Sequence, residues 1–194
     1  FDQKNAYSSG NIIKLAIENI VEDKKNATDI YKFLIKKTTK NKILELEKNM
    51  DKTFLMITVS KNLTEATHLL LDRMGDQNVP FEVSSILVTN HNTILFERMY
   101  KNFLKPRYVI DLSIEKQHKD MFIKLVDYYA KSEYDYVRII YNNPPIDYLY
   151  LTLRLWSDPH LSDDFTVVKL VKENYSNEKL SLIWYFLKEQ IKQD

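Results

Sequence analysis

Histidine chemistry would be the easiest to detect in this chain, because imidazole binds transition metals and transfers protons near neutral pH. Four histidines are present, and no two stand at metal-ligand spacing with a carboxylate between them. The chain has no cysteine, which excludes disulfides, thiolate metal sites and cysteine nucleophiles. We therefore expect no metal site. Solvated or locally hydrogen-bonded imidazoles are expected at His68, His91, His118 and His160.

The serines and carboxylates offer little more for catalysis. Ser8-Ser9-Gly10 and Ser84-Ser85 lack the glycines of the strand-to-helix elbow that surrounds a nucleophilic serine. Adjacent acids occur at Glu22-Asp23 and Asp163-Asp164, where solvated turn residues are a commoner explanation than acid–base catalysis. With only two glycines in the chain, a phosphate-binding loop is excluded. The sequence thus predicts no enzyme, no catalytic residue and no cofactor.

Three sequons could accept N-linked glycans, at Asn26, Asn62 and Asn174. The Asn, Ser and Thr content gives about 1.7 sequons by chance, so three are weak evidence for secretion. Asn62 also has the side chain of a helix cap, which is an alternative to glycosylation.

The charge balance argues against a nucleic-acid partner, because 28 basic and 27 acidic residues leave a net charge of only +1. Residues 24–52 hold nine lysines and four acids, which indicates a solvated basic face. No apolar run reaches the roughly 18–20 residues that span a bilayer. Membrane association is therefore expected only through segments absent from this chain. Because no signal peptide is visible and the chain starts at Phe1, we expect an upstream segment to be missing.

Aromatic residues are dense, with 13 Tyr and 9 Phe. Five of the tyrosines crowd into one short stretch, namely Tyr128, Tyr129, Tyr134, Tyr136 and Tyr141. Packing within the fold would explain them. A contact surface is the second interpretation, since Tyr is enriched at protein interfaces.

Runs of β-branched and aromatic residues alternate along the chain with segments of helical periodicity. The runs are typical of strands and lie at residues 54–60, 83–89, 107–114, 136–141 and 165–171. The helical segments lie at residues 12–21, 62–74, 92–104, 121–129, 146–156 and 179–191. Asn62 is expected to cap the second of these helices, and Pro106 is expected to stop the third.

This alternation predicts βαβ crossovers, and hence an α/β fold with a mostly parallel sheet and flanking helices. Near-continuous apolar strands agree, because helices cover both faces of such a sheet. One alternative stays open. Residues 53–79 loosely resemble an ankyrin repeat, which is a pair of helices that recurs about every 33 residues, although the turn glycines of that repeat are missing here.

Residues 122–141 resemble the amino-terminal domains of ionotropic glutamate receptors and related bilobed receptor ectodomains. In that pattern a helix ends near an aromatic residue, here Tyr134. A strand follows with Val137 and Tyr141, and Asn142-Asn143 then form a polar turn.

The start of the chain is similar to the same domains, because Phe1-Asp2 and the AIENI sequence at residues 16–20 match the end of their first strand and their first helix. Two features differ from the family. Its frequent lobe-one disulfide is impossible without cysteine, and its GPSHSS-like turn reads VTNHNT at residues 88–93. The chain is therefore most similar to a divergent member, such as an arthropod chemosensory ionotropic receptor.

The resemblance implies a periplasmic-binding-protein-like clamshell that lacks its first strand, with lobe one at residues 1–114 and part of lobe two at residues 115–194. It implies the extracellular amino-terminal domain of a ligand-gated cation channel subunit, on the extracellular face of the plasma membrane. This domain would serve subunit assembly and modulator binding, so its partners would be other receptor subunits and a small-molecule ligand. A lobe-one dimer contact is expected at Leu95, Met99, Tyr100 and Phe103, although packing on the sheet explains the same four residues.

Two alternatives to the receptor remain. One is a generic Rossmann-like binding or enzyme domain, whose polar residues would converge at the carboxyl ends of the strands. The other is an ankyrin-like intracellular scaffold. Glycans at Asn26 or Asn174 would exclude the scaffold, and a largely helical spectrum would exclude the α/β fold.

Overall fold

The computed structural model describes residues 3–22, 26–48, 50–75, 79–155, 175, 176 and 181, without the side chains of residues 3–11 and 133. These residues form eleven α-helices and one short 3-10 helix. The helices are α1 (Gln3–Val21), α2 (Ala27–Lys37), α3 (Lys40–Glu47), α4 (Phe54–Ser60), α5 (Thr64–Met74), α6 (Phe81–Thr89), α7 (Thr93–Met99), the 3-10 helix η1 (Tyr100–Asn102), α8 (Pro106–Glu115), α9 (Lys119–Tyr129), α10 (Glu133–Tyr141) and α11 (Ile146–Leu155).

The predicted α/β fold is wrong. Within the described ranges no strand forms, and the only β-type pairing there is an isolated parallel bridge between Val79 and Phe103. Four of the predicted strands are the helices α4, α6, α8 and α10, and the fifth, at residues 165–171, lies outside the described residues. The parallel sheet and the clamshell built from it are therefore overturned. The predicted helices are confirmed as α1, α5, α7, α9 and α11, while that at residues 179–191 falls almost wholly outside the described part.

Two of the mispredicted helices, α4 and α6, are short and apolar, so their sequence pattern resembles that of a buried strand. α4 has seven residues, FLMITVS, and it buries Phe54, Leu55, Thr58 and Val59 at helical spacing. Its start is fixed by Thr53, whose Oγ1 accepts a hydrogen bond from the Met56 N–H at 3.2 Å. α8 begins at Pro106, because proline suits the first turn of a helix, where its missing N–H is not needed. Pro106 was expected to stop the preceding helix, but α7 already ends at Met99 and Pro106 starts α8 instead.

One turn geometry recurs between the helices and divides them into pairs. Asn62, His91, Gln117 and Asn143 all adopt positive φ, and each follows the first helix of a pair. The pairs are α4–α5, α6–α7, α8–α9 and α10–α11, and Asn26 has the same conformation between α1 and α2. Asn tolerates this left-handed region better than most residues, whereas a glycine would be the usual choice.

The hydrogen bonds of these turns follow the Schellman pattern. After α4, the Leu63 N–H reaches the Thr58 carbonyl at 2.9 Å and the Asn62 N–H reaches the Val59 carbonyl at 3.0 Å. The turns after α6 and α8 repeat both bonds. After α10 the longer bond cannot form, because its donor position is occupied by Pro144. Asn62 therefore ends α4 and does not cap α5, which was its predicted role.

The pairs recur at a period of 25 to 27 residues, since their first helices begin at residues 54, 81, 106 and 133. Residues 53–79, which loosely resemble an ankyrin repeat, hold one such pair, α4 and α5. The observed period is shorter than the roughly 33 residues of an ankyrin repeat. Repetition of helical pairs is nevertheless the feature that the ankyrin alternative and the structure share.

The chain divides into two compact units, Phe1–Lys105 and Pro106–Asp194. In the first unit, α4 packs against α1 and α6, and α5 packs against α2 and α7, so that the pairs stack in two layers. α3 packs against α1 and α5. The fully buried Tyr31 joins two helices of one layer, because its hydroxyl donates to the Ala66 carbonyl at 3.1 Å.

In the second unit, α8 packs with α9, α10 packs with α11, and α9 contacts α11. The rings of Phe122 and Tyr148 meet edge to face at 5.0 Å between centroids, and both side chains are buried. Tyr175 is attached to the α10–α11 turn, since its hydroxyl donates to the Pro144 carbonyl at 2.9 Å. The predicted boundary after residue 114 falls within the last turn of α8, which packs against α9 in this unit.

Glu47 caps the helix that follows it, and this carboxylate makes stability depend on pH. Its Oε1 accepts a hydrogen bond from the Phe54 N–H at 2.7 Å. Burial raises the pKa of the Glu47 carboxyl, although hydrogen bonds from the Phe54 and Leu55 N–H groups act in the opposite direction. A carboxyl whose pKa is higher in the folded state gives its full contribution to stability only at acid pH. That contribution is lost as the pH rises through the raised pKa.

Replacement of Glu47 should therefore separate the hydrogen bond from the charge. We expect Glu47→Gln, which keeps the acceptor, to be more stable than the native chain at neutral pH, with the difference vanishing at acid pH. Glu47→Ala should lower the free energy of unfolding by about 1–2 kcal/mol at neutral pH, because the N–H of Phe54, the first residue of α4, loses its hydrogen-bond acceptor. Urea denaturation over a pH series measures both. A Glu47→Gln advantage that grows toward acid pH would contradict this assignment.

Two buried tyrosines should respond oppositely to removal of their hydroxyl. Within the described structure Tyr148 Oη has no hydrogen-bond partner, and burial raises the pKa of Tyr148 to about 12. We expect Tyr148→Phe to raise the free energy of unfolding by about 1 kcal/mol, because an unsatisfied buried hydroxyl is removed. Tyr31→Phe should lower it by about 1 kcal/mol, because the bond to Ala66 is lost. Thermal and urea denaturation of both variants provides the test, and equal signs would show that the hydroxyl environments are misassigned.

Candidate interaction surface

Three tyrosines stand out on the first helices of the two pairs in the second unit. Tyr108 lies near the start of α8 and is 61% exposed, while Tyr134 and Tyr141 on α10 are 63% and 72% exposed. Tyr134 and Tyr141 are seven residues apart, which places them on one stripe of α10. The opposite side of α10 holds Ile139 and Ile140, which are buried. The amphipathic pattern of α10 therefore turns these two tyrosines away from the interior.

Ion pairs hold α8 and α10 together beside these tyrosines. Arg138 forms a salt bridge with Asp111 at 2.5 Å, and Asn142 Nδ2 donates to the other oxygen of Asp111 at 3.2 Å. Arg107 pairs with Asp135 at 3.1 Å, and its guanidinium also lies 5.4 Å from the ring centroid of Tyr134. We name this surface the tyrosine face, defined by Tyr108, Tyr134, Tyr141, Arg107 and Arg138.

Asp135 lies at the edge of the tyrosine face, and its pKa is below the ordinary value. Burial alone would raise its pKa, but the Ser132 hydroxyl at 2.8 Å and the Lys131 N–H at 3.3 Å both donate to Oδ2. Together with the Arg107 charge, these donors hold the pKa of Asp135 below its ordinary value. The two arginines of the tyrosine face are thus matched by carboxylates, and the surface is close to neutral.

The five crowded tyrosines of the sequence divide into two groups. Tyr134 and Tyr141 belong to the tyrosine face, whereas the other three are engaged within the fold. Tyr128 and Tyr129 meet edge to face at 4.9 Å, and the Tyr136 hydroxyl donates to the Leu155 carbonyl at 3.3 Å. Tyr108 was missed by the sequence analysis, because it lay in a predicted strand. Its helical spacing from Asp111 and Leu112 is the signal that could have found it.

The four residues expected at a dimer contact lie on α7 and just after it. Leu95, Met99 and Phe103 are buried, with exposed fractions of 0%, 2% and 4%. Tyr100 is half-buried and stacks on Phe96 at 5.4 Å. Packing within the first unit accounts for their apolar character, and the dimer contact itself stays untested.

Two of the three sequons lie in turns that the structure describes. Asn26 is exposed and precedes α2, and no cap hydrogen bond is made by its side chain. Asn62 is exposed and accepts a hydrogen bond from Asn92 Nδ2, which links the turns of two successive pairs. Asn174 lies outside the described residues. Glycosylation at all three positions remains a prediction.

The histidines are dispersed. His68 Nδ1 lies 2.9 Å from Arg98, which also forms a salt bridge with Asp72 at 2.6 Å, so this imidazole is locally hydrogen-bonded as expected. His91 is exposed in a turn, His118 precedes α9, and His160 lies outside the described residues. Among the described side chains, no group of three or more metal-ligating residues comes together.

The polar groups expected at strand ends lie instead in the turns inside the helical pairs, at residues 60–62, 89–91, 115–116 and 142–143. A Rossmann-like site requires these polar residues to meet at one edge of a parallel sheet. Among the described residues there is no sheet, so this arrangement is not formed there. Among the described helices, none combines the length and the apolar character needed to cross a membrane.

Comparison with known proteins gives no relative for this chain. No protein-family model, no curated protein and no solved structure matches it. The functional assignment therefore depends on the residues of the chain itself.

Proposed function

We propose that this chain is a helical-repeat interaction protein that binds another protein through the tyrosine face. The observation that carries the proposal is the exposure of Tyr108, Tyr134 and Tyr141, each above 60%, on the first helices of neighbouring pairs. A tyrosine ring presents a large apolar area and a polar hydroxyl, and only two side-chain torsions must be fixed when it binds.

The surroundings of these tyrosines support a protein partner. Tyr and Arg are the residues that most often dominate binding energy at protein interfaces. The arginines of the tyrosine face are held in place by Asp111 and Asp135, so less side-chain freedom is lost when a partner binds. Stacked helical pairs also provide extended surfaces for partner proteins in other repeat architectures.

The receptor-subunit function was implied by the resemblance of residues 122–141, whose pattern includes a strand at residues 136–141. That segment belongs to the helix α10, so we do not build the proposal on this resemblance. Of the earlier alternatives, the repeat scaffold agrees best with the helical pairs, and its cellular compartment stays open.

The test replaces exposed tyrosines without disturbing the interior. The full chain is immobilised and used to capture proteins from its source cells, and each captured protein is then purified and titrated against variants. We expect the double change Tyr134→Ser with Tyr141→Ser to weaken the affinity by at least about 100-fold, since each lost anchor contributes roughly tenfold or more.

The matched control is Ile94→Ser, which removes an apolar side chain that is 63% exposed on α7. It should leave the affinity unchanged, and the helical content of both variants should equal that of the native chain. The proposal fails if no protein binds, or if every captured protein binds the double variant as tightly as the native chain.

A further inference from the structure

A cleft of about 430 Å³ lies in the first unit among α1, α2 and α3. Its apolar lining comes from Ile12 and Ile13 of α1, Leu34 of α2 and Leu46 of α3. Ile13 and Leu46 belong to the buried core, so the floor of the cleft is continuous with the interior. The cleft is independent of the tyrosine face, which belongs to the second unit.

Exposed apolar side chains extend from the cleft along α1 and α2. Ile12 and Leu15 are 48% and 54% exposed on α1, and Ile30 and Phe33 are 51% and 60% exposed on α2. Members of each pair are three residues apart, so they share one side of their helix. Lys37 lines the cleft, and its Nζ lies 5.8 Å from the Phe33 ring centroid, which joins Phe33 to the cleft.

The edge of the cleft is strongly basic. The segment at residues 36–42, with the sequence KKTTKNK, carries four lysines and no acid, and two of these lysines, Lys37 and Lys42, line the cleft. Lys42 pairs with Glu45 at 3.0 Å, whereas Lys36 and Lys40 form no ion pair within the described structure. α3 also begins at Lys40, so the positive end of its dipole adds to the potential at this edge.

We propose that this basic cleft binds an acidic amphipathic helix of a partner protein. The apolar side of the bound helix fills the cleft and covers Phe33, while carboxylates beside that side pair with Lys37, Lys40 and Lys42. Helices bind grooves in this way through apolar residues at positions i, i+3, i+4 and i+7. The lysine charges set the preference for an acidic helix and raise its association rate.

The charge and the shape of the cleft favour this occupant over two others. A second copy of the chain would bring two lysine-rich edges together around a two-fold axis, where they repel. An anionic membrane would be attracted by the lysines, but a flat lipid surface leaves a recess between helices unfilled. An inserted helix side chain fills that recess.

The test uses a displayed library of amphipathic helices, selected against the full chain. The helices carry Leu at the apolar positions, and the flanking positions vary among Glu, Lys, Gln and Ser. We expect enrichment of Glu over Lys. The enriched peptides are then synthesised and titrated by fluorescence anisotropy against the native chain and its variants.

We expect Phe33→Ser, and separately the double change Lys37→Glu with Lys40→Glu, to weaken the affinity of an acidic peptide by at least about tenfold. The controls are Ile94→Ser and Lys61→Glu, which change an exposed apolar residue and an exposed lysine elsewhere. Both controls, and the Tyr134→Ser with Tyr141→Ser variant, should bind the peptide normally. If the tyrosine face proves to bind no partner, the expected binding of an acidic peptide to the cleft therefore still stands.

Four outcomes overturn the proposal. The first is a selection without enrichment or with enrichment of Lys, and the second is a peptide affinity that the cleft variants do not change. The third is sedimentation of the chain with phosphatidylcholine–phosphatidylserine vesicles that is lost in Phe33→Ser, which would assign the cleft to a membrane. The fourth is a dimer in sedimentation velocity that Phe33→Ser dissociates, which would assign it to a second copy.

Discussion

Leu87→Lys is expected to lower the free energy of unfolding by about 3–5 kcal/mol, because it places an unpaired charge at a fully buried position of α6. Thr89→Lys, two residues further along the same helix, should change it by no more than about 0.5 kcal/mol, because Thr89 is exposed. Urea denaturation of both variants measures the difference.

A complete lysine scan of α6 distinguishes the helix from the strand that the sequence pattern predicted. The helix buries Val83, Ser84, Leu87 and Val88, which recur at helical spacing. Lysine should therefore be harmful at these four positions and better tolerated at the exposed Glu82 and Thr89 and at the half-buried Ser85 and Ile86. A strand covered on both faces would be sensitive at every position of its length. Uniform sensitivity, or sensitivity at alternate residues, would contradict the helix.

Phe122→Ala is the second large effect, and it tests the interior of the second unit. Phe122 is fully buried on α9 and packs against Tyr148 of α11. Removal of the ring leaves a cavity between α9 and α11, so the free energy of unfolding should fall by about 3–5 kcal/mol.

Tyr128→Ala is the matched control, since Tyr128 is an aromatic residue of the same helix that is 39% exposed. Its ring contacts Tyr129 but is partly exposed, so its removal leaves no enclosed cavity and a loss of about 1 kcal/mol or less is expected. If the two variants are equally destabilised, the assignment of the buried side of α9 is wrong.

The sequence was sufficient to predict the second helix of each pair but not the first. α5, α9 and α11 are 10 or 11 residues long, with an exposed side that makes the helical period visible. α4 and α6 have only seven and nine residues, rich in Val, Ile and Thr, and few of them face solvent. At that length and burial, composition resembles a strand, and packing overrides the intrinsic preference of the residues. Length alone does not decide the outcome, because α7 has seven residues and was predicted as a helix, whereas α8 has ten and was predicted as a strand.

The turns concealed the repeat for a different physical reason. A left-handed residue after a helix is normally glycine, and the expected signal for a helical pair was therefore absent. Asn62, His91, Gln117 and Asn143 adopt this conformation instead, and the surrounding Schellman hydrogen bonds hold most of them there. The left-handed positions are occupied by Asn, His, Gln and Asn in turn, so the four turns share no sequence pattern by which the repeat could be aligned.

The candidate surface was partly predictable. The density of tyrosine between residues 128 and 141 indicated a contact surface, and Tyr134 and Tyr141 are its exposed members. Tyr108 could not be added, because residues 108 and 111 would lie on opposite faces of a strand, whereas they share one side of α8. Leu95 and Met99 were chosen for their apolar character, which in α7 reflects burial within the first unit.

The most direct test of the helical-pair fold is the measurement of backbone NMR chemical shifts across residues 54–60, 83–89, 107–114 and 136–141. These segments are helices in the structure and strands in the sequence-based prediction. The Cα shifts should lie above their random-coil values throughout the four segments, because each segment lies within a helix that ends before Asn62, His91, Gln117 or Asn143. Cα shifts below random-coil values in those segments would contradict the helical pairs and restore the sheet.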